Sequence, residues 1–139
     1  MKIESNHLNI NATQNTIYNL VSNCNNFGNV IPEQLKNWES TEDSCSFEIA
    51  SMAKVKIIIA EKEYDRKVVF KATADQPMSM VIICNIIYID NNSSEVFLDL
   101  DVDVPAMVSM MVKKPLENFA NVLVDKIKIE AEKTETQNM

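Results

Sequence analysis

The stretch MVIICNIIYIDNNSSEVFLDLDVDVP, residues 80–105, decides the fold class of this chain. From residue 96 onward apolar residues alternate with polar ones, which is the pattern of a strand with one buried face and one solvated face. Only residues 91–93 separate this strand from the apolar segment before it. A break of three residues can join antiparallel neighbours, whereas a parallel crossover needs about a dozen residues or more. The stretch therefore predicts two long, adjacent antiparallel strands.

Segments before residue 80 show the same alternation and extend the prediction to an antiparallel meander. The breaks between them, at 41–43, 64–66 and 74–77, are short and polar, as expected between neighbouring strands. A first strand is expected over residues 2–12, where Leu8 and Ile10 alternate with polar residues. The other predicted strands are 35–40, 44–49, 54–63, 67–73, 78–90 and 94–104.

Two short helices are predicted between the first and second strands. Thr13 can cap the first of them, since its hydroxyl can accept a free N–H group of the first turn. Ile17, Leu20 and Val21 then share one helical face. A second short helical segment is expected at 27–31, where the following proline stops it.

One long helix is predicted from residue 106 to about residue 132. Pro105 suits its start, because the first turn leaves N–H groups unpaired and a proline has none to lose. The apolar stripe of this helix predicts that Phe119 and Leu123 are buried, and Pro115 is expected to kink the helix. The other members of the stripe are Leu116, Val122 and Ile127.

The composition favours one acidic globular domain. The 139 residues suit a single domain, predicted to span 1–133, followed by a polar tail at 134–139. The formal net charge of −7 and the lack of a Lys/Arg cluster predict no nucleic-acid partner and no membrane insertion. Three cysteines without paired spacing are expected to be reduced, which favours a cytoplasmic location. No cofactor is expected.

The aspartates at 99, 101 and 103 copy the spacing of the first half of a calcium-binding loop. That loop needs glycine at its sixth position and glutamate at its twelfth, where this chain has Val104 and Met110. Successive side chains on one face of a strand are about 7 Å apart, which is too far for neighbours to share a small cation easily. We therefore expect Asp99, Asp101 and Asp103 to form a solvated strand face and to bind no metal.

Two segments resemble a known family. LNINATQNTIYNLVSNCNNFGNVIP (8–32) is similar to the opening strand and helices of the START/Bet v 1-like superfamily, and KPLENFANVLVDKIK (114–128) is similar to its C-terminal helix. This superfamily includes polyketide cyclase/dehydrase and lipid-transport proteins. The resemblance implies an α+β helix-grip fold, in which a curved sheet of six to seven antiparallel strands wraps around the long C-terminal helix. Two short helices lie between the first two strands.

The resemblance also implies an apolar cavity between the sheet and the C-terminal helix. The leading prediction is binding or carriage of a small hydrophobic ligand, lipid or polyketide-like; the ligand is then the expected partner. The residues predicted to bind it are Phe47, Ile49, Ile57, Phe70, Ile82, Leu98, Leu100, Met107, Met111 and Phe119.

Two alternatives remain open from the sequence. A cyclase or aromatase would need at least two ionisable or hydroxyl groups facing the cavity, and Tyr64, Asp75 and Tyr88 are weak candidates. No residue is predicted to be catalytic, since His7 is the only histidine and no nucleophile motif accompanies it. An interaction protein whose cavity is filled by side chains is the other alternative.

The chain has more apolar residues than a one-sided sheet and one helical stripe require. Residues 80–89 are hydrophobic on both faces of the predicted strand. Met107, Met110 and Met111 form a second stripe on the helix. We expect at least two of these methionines to be shielded, either at the cavity mouth or by a second subunit. A homodimer is therefore a further prediction.

Overall fold

The described residues form a sheet of eight antiparallel strands. The structure, a computed structural model, describes residues 1–29, 35–49, 53–74 and 79–137. The strands are β1 (Lys2–Glu4), β2 (Leu8–Ile10), β3 (Leu35–Ser40), β4 (Ser44–Ile49), β5 (Ala53–Glu63), β6 (Lys67–Ala74), β7 (Ser79–Asp90) and β8 (Ser93–Asp103). Their spatial order is β1-β8-β7-β6-β5-β4-β3, and β2 also pairs with β8. The meander predicted from the short breaks is confirmed.

The predicted first strand, residues 2–12, is divided into two in the structure. β1 pairs with β8 through Ile3 and Leu100, and β2 pairs with the same strand through Leu8 and Val96. Between them Ser5 interrupts the regular ladder: its backbone N–H donates to the Leu98 carbonyl, and its side-chain Oγ accepts from the Leu98 N–H, both at 2.8 Å. The prediction of one continuous strand is wrong, because this serine replaces a backbone acceptor by its own hydroxyl.

The first two helical segments differ in type. α1 spans Gln14–Val21, and the Thr13 side chain caps it by accepting from the Thr16 N–H at 3.2 Å. The second is a 3₁₀ helix, Cys24–Asn29, which begins three residues earlier than predicted. The end of its predicted range, residues 30–31, lies outside the described residues. Both helices lie between β2 and β3 in the chain, as the resemblance implied.

The last helix, α2, spans Ala106–Gln137 and continues through Pro115. It is longer than predicted, so the expected polar tail at 134–139 is helical as far as Gln137. Polar side chains hold this end: Glu132 accepts from the Asn11 N–H at 2.9 Å, and Glu135 accepts from the Thr13 N–H at 3.2 Å. These bonds account for the extra length, and residues 138–139 lie outside the described part.

α2 packs its second half against α1 and the edge of the sheet formed by β1, β2 and β8. The fully buried residues of this contact are Ala120, Val124, Ile127 and Ala131. Phe119 and Leu123, expected to be buried, are only half-buried, and Val122 is exposed. The buried stripe therefore lies about one residue further along than predicted, because two alanines allow close approach to the sheet.

Candidate ligand-binding cavity

An apolar inner chamber of about 60 Å³ lies between the sheet and α2. Its lining comes from α1, the 3₁₀ helix, the strands and α2, so distant parts of the sequence meet there. The lining residues are Leu20, Val21, Phe27, Trp38, Cys45, Phe47, Ile57, Phe70, Ile82, Cys84, Leu98, Phe119, Leu123 and Ile127.

An outer chamber of about 280 Å³ lies beside the inner one, under the part of α2 that begins at Pro115. Phe47, Ile57, Ile82 and Phe119 line both chambers, so the two are neighbours. The other residues around the outer chamber are Val55, Ala72, Thr73, Ala74, Ser79, Met80, Pro115 and Leu116.

Strand pairing explains why these side chains converge. Ile57 is paired with Ala72, and Ala72 with Met80, so the three side chains lie in one row on the same face of the sheet. A second row contains Phe70 and Ile82. Because alternate residues of a strand point to opposite faces, this face receives the apolar half of each strand. Strand parity thus supplies the apolar sheet face that borders the cavity.

Aromatic rings form much of the inner chamber. Phe27 and Phe70 have ring centroids 5.5 Å apart with planes tilted by 58°. Trp38 and Phe47 are 5.9 Å apart and nearly parallel, at 18°. Both separations lie in the range in which aromatic pairs attract. The rings therefore support one another and give the chamber flat sides.

Two thiols face the inner chamber, and both are protonated at neutral pH. Burial raises the pKa of Cys84 to about 12. A hydrogen bond with Cys24, together with burial, holds the pKa of Cys45 above its ordinary value. Since the thiolate is the reactive form, these cysteines contribute apolar packing to the chamber and not a nucleophile.

The structure brings six of the ten predicted ligand-binding residues together. Phe47, Ile57, Ile82 and Phe119 line both chambers, and Phe70 and Leu98 line the inner one. Leu100 is buried in the core and lines neither chamber. The side chain of Ile49 lies outside the described residues. Binding by any of these residues stays a prediction.

The two predicted methionines lie elsewhere. Met107 and Met111 line neither chamber. Met107 is 85% exposed, Met110 84% and Met111 76%. The expectation that the cavity mouth shields these methionines is wrong for the isolated chain, because the first turns of α2 point them away from the sheet. Shielding by a second subunit stays a prediction.

Sequence reasoning missed several lining residues. Val55, Ala72 and Met80 could have been found, because they share strand parity with predicted neighbours in the sheet register. Leu20, Phe27 and Trp38 gave no comparable signal. Their arrival at the chamber depends on how α1, the 3₁₀ helix and β3 pack, which no local pattern encodes.

The aspartates of β8 lie on the other face of the sheet. Asp101 and Asp103 are exposed, while Asp99 is half-buried and accepts a 3.0 Å hydrogen bond from Asn85 Nδ2. Burial alternates along the whole strand, which confirms the strand-face interpretation. Within the described residues, no three His, Cys, Asp or Glu side chains are grouped as metal ligands. The absence of metal binding stays a prediction.

No helix in the described part of the chain has the length and hydropathy to cross a bilayer. No family model matches the sequence, and no curated protein matches it either.

Solved structures match the chain over nearly its whole length. A START superfamily protein from Mycobacterium smegmatis has a TM-score of 0.69 at 15% identity and covers 99% of both chains. A protein from Thermus thermophilus has a TM-score of 0.70 at 14% identity, over 94% of this chain and 97% of its own. A Thermobifida fusca protein also scores 0.70, at 10% identity, over 96% and 95%. Identities this low establish the fold alone, and that fold is START/Bet v 1-like with a helix-grip architecture.

Proposed function

We propose that this protein binds and carries a small hydrophobic molecule, lipid or polyketide-like, in the two chambers between the sheet and α2. The observation that carries the proposal is the chamber lining, whose side chains are apolar or aromatic apart from two protonated thiols and two hydroxyls at the rim. Ligand sites are typically concave, mostly apolar and about 300–1,000 Å³ in volume. Each chamber alone is smaller than that, and only the two together reach the lower end of the range, which favours a compact ligand.

Apolar burial would supply the affinity. Each Å² of apolar ligand surface removed from water contributes about 25 cal/mol. Apolar cavities also hold little ordered water, so a ligand would displace no strongly hydrogen-bonded solvent from them. Phe47, Ile57, Ile82 and Phe119 would contact a ligand in either chamber, because they line both.

The cyclase alternative has less support. Tyr64 and Tyr88 are more than half exposed and line neither chamber. Their hydroxyls are engaged with Asn15 Nδ2 at 2.8 Å and with Asn91 Oδ1 at 3.1 Å. Asp75 lies outside the described residues. The interaction-protein alternative requires a filled cavity, and the side chains of the described residues leave both chambers open.

A filled-cavity variant tests the proposal. Ala72 faces the outer chamber, so Ala72→Phe should lower the affinity for the neutral fluorescent probe N-phenyl-1-naphthylamine at least tenfold in a titration. Lys71→Phe is the matched control, because it adds the same ring to the next residue of β6 on the exposed face. Its affinity should stay within about twofold of the parent protein.

A second pair of variants provides the same test if Ala72→Phe does not fold. Leu116→Trp fills the outer chamber from α2, and Asn118→Trp adds the same side chain at an exposed position of that helix. Thermal unfolding would be recorded for all four proteins. Equal probe binding by the filled variants and their controls would contradict the proposal.

A further inference from the structure

The polar groups around the two chambers are unsuited to holding a charged ligand. Among the described lining residues none is acidic, basic or an amide, and the two hydroxyl residues are Thr73 and Ser79. These two pair with each other across β6 and β7 and are exposed, whereas Ala72 in the neighbouring row is buried. Strand parity therefore directs both hydroxyl groups toward the outer face of the sheet, although the two residues border the outer chamber.

The charged residues of the lining strands also lie on that outer face. Lys71 of β6 is exposed and paired with Val81, which is paired with Asp101 of β8. On β4, Glu48 accepts a hydrogen bond from the Asn37 side chain. An ionised ligand group inside the chambers would lose its hydration without gaining a partner from these side chains. Such unpaired burial of a charge is strongly unfavourable.

The shape of the cavity adds a second restriction. Rings contributed by five residues surround the inner chamber, and two pairs of them are already in attractive ring–ring contact. A cavity of about 150 Å³ lined by Leu, Ile and Phe is known to hold one benzene. The outer chamber, at about 280 Å³, has room for a ring system about twice as large. The five residues are Phe27, Trp38, Phe47, Phe70 and Phe119.

From these observations we infer that the ligand is an uncharged, ring-containing hydrophobe of about two fused rings. Its rings lie in the outer chamber with one edge toward the inner chamber, and none of the side chains that line the chambers in the described part of the chain hydrogen-bonds to it. Molecules that are ionised at neutral pH, fatty-acid anions included, are excluded. This inference rests on the proposed function and specifies the class of molecule that the cavity selects.

Four ligands distinguish the effect of ligand charge on binding from the effect of ligand shape. The ring pair is 2-naphthalenemethanol and 2-naphthoate, and the chain pair is octan-1-ol and octanoate. Within each pair a neutral CH₂OH group replaces a carboxylate on a similar apolar body. Titrations of the full chain would follow the methyl NMR signals of the isoleucines and methionines, since Ile57, Ile82 and Met80 line the chambers.

We expect the naphthyl alcohol to bind at least tenfold more tightly than the naphthoate, and more tightly than octan-1-ol. A naphthoate that binds as tightly as its alcohol, or an octanol that binds as tightly as the naphthyl alcohol, would overturn the inference while leaving the proposed function intact. If none of the four causes saturable shifts, the proposed function itself fails, and the inference fails with it.

A charge placed in the outer chamber tests the cause of the selectivity. Met80→Lys puts an ammonium group at a chamber-facing position of β7, and Val81→Lys puts the same group on the next residue, on the opposite face. Met80→Lys should improve naphthoate binding relative to the alcohol at least tenfold, and Val81→Lys should leave the ratio within about twofold of the parent.

Leu116→Lys and Asn118→Lys repeat the comparison from α2 if the β7 variants fail to fold. An unchanged ratio in a folded chamber-facing variant would show that the uncharged lining does not determine selectivity, and would contradict the inference.

Discussion

At the scale of single residues, parity along a strand decides which side chains reach the cavity. Met80 and Val81 are neighbours in sequence and both are apolar, yet only Met80 lines the outer chamber. Ala72 and Thr73 both border that chamber, but Ala72 is buried and Thr73 is exposed. A hydrophobic residue of this chain therefore contributes to the site through its position in the register more than through its side-chain type.

His7 is an exposed residue whose neighbours alter its titration. Its ring stacks on Phe97 with centroids 3.9 Å apart, and its two nitrogens lie 3.2 Å from Glu4 Oε2 and 3.3 Å from Glu95 Oε2. The hydrogen bond with Glu4 is the main cause that raises the pKa of His7 above its ordinary value of 6.5, and Glu95 adds to it. The cluster lies where β1 ends and β2 begins.

We predict that His7 titrates above pH 6.5 in an NMR experiment on its ring carbons, and that Glu4→Gln lowers the midpoint. Glu39→Gln, which removes an exposed carboxylate from β3, is the control and should leave the midpoint unchanged. Because the folded state raises this pKa, the contribution to stability is present below pH 6.5 and is lost as the pH rises through the raised value. A midpoint at or below 6.5 in the parent protein would contradict the prediction.

At the scale of elements, α2 has two halves with different roles. The second half is fixed to the sheet edge by the buried residues Ala120 to Ala131 and by hydrogen bonds such as that from Lys128 Nζ to the Asn9 carbonyl, at 2.8 Å. Pro115, Leu116 and Phe119 cover the outer chamber instead. The second half therefore stabilises the fold and also borders the inner chamber through Leu123 and Ile127, whereas the part around Pro115 borders the outer chamber.

This division predicts different costs of truncation along α2. Ile127→Ala removes a side chain that is 4% exposed and should lower the free energy of unfolding by about 2–5 kcal/mol. Phe119→Ala should cost less than the roughly 3–5 kcal/mol of a fully buried phenylalanine, because the ring already borders open chamber volume. Urea denaturation followed by circular dichroism would measure both. A cost of about 3–5 kcal/mol or more for Phe119→Ala would contradict the prediction, because the ring would then behave as fully buried.

The two faces of β7 are both apolar, and the structure covers them to different extents along the strand. Ile82, Cys84 and Ile86 are buried on the cavity side, and Val81 and Ile83 of the opposite face are half-buried beside neighbouring strands. Toward its end Ile87, Tyr88 and Ile89 are exposed. The sheet therefore covers part of the second apolar face, and the isolated chain leaves the rest in water.

At the scale of the whole molecule, a prominent exposed apolar group lies at the start of α2. Met107, Met110 and Met111 are each at least three-quarters exposed, and Val108 lies beside them. Exposed apolar patches of this kind often mark contact surfaces. The expectation of a homodimer applies to this group of methionines.

If a second copy covers the methionines, Met110→Glu should convert a dimer to a monomer, since a buried unpaired carboxylate is costly. Sedimentation analysis of the parent and the variant would measure the mass in solution. Lys133→Glu, at an exposed position near the other end of α2, is the control and should remain dimeric. A parent protein that sediments as a monomer at all accessible concentrations would contradict the prediction.

The sequence by itself determined the meander, the Thr13 cap and the long final helix, because each depends on short-range patterns: period-two alternation, a capping hydroxyl and a period of about 3.6. Phe47, Ile57, Ile82 and Phe119, predicted to bind a ligand, line both chambers, and their role in binding stays a prediction. The phase of α2 was misjudged by about one residue, since large apolar residues were taken as the buried ones and Ala120 and Ala131 were not.

Only the tertiary structure decided the cavity and the outcome for the methionines. The chambers lie between α2, which is fixed at the sheet edge, and the face of the sheet. Their volume depends on distances between these elements, which no local sequence pattern contains. Trp38 and Phe27 reach the inner chamber through that packing, while Met107 and Met111, also apolar, remain in water. A hydropathy pattern indicates which side chains lower the free energy when they are buried. Only the arrangement of the other elements determines whether such a side chain has a surface to pack against.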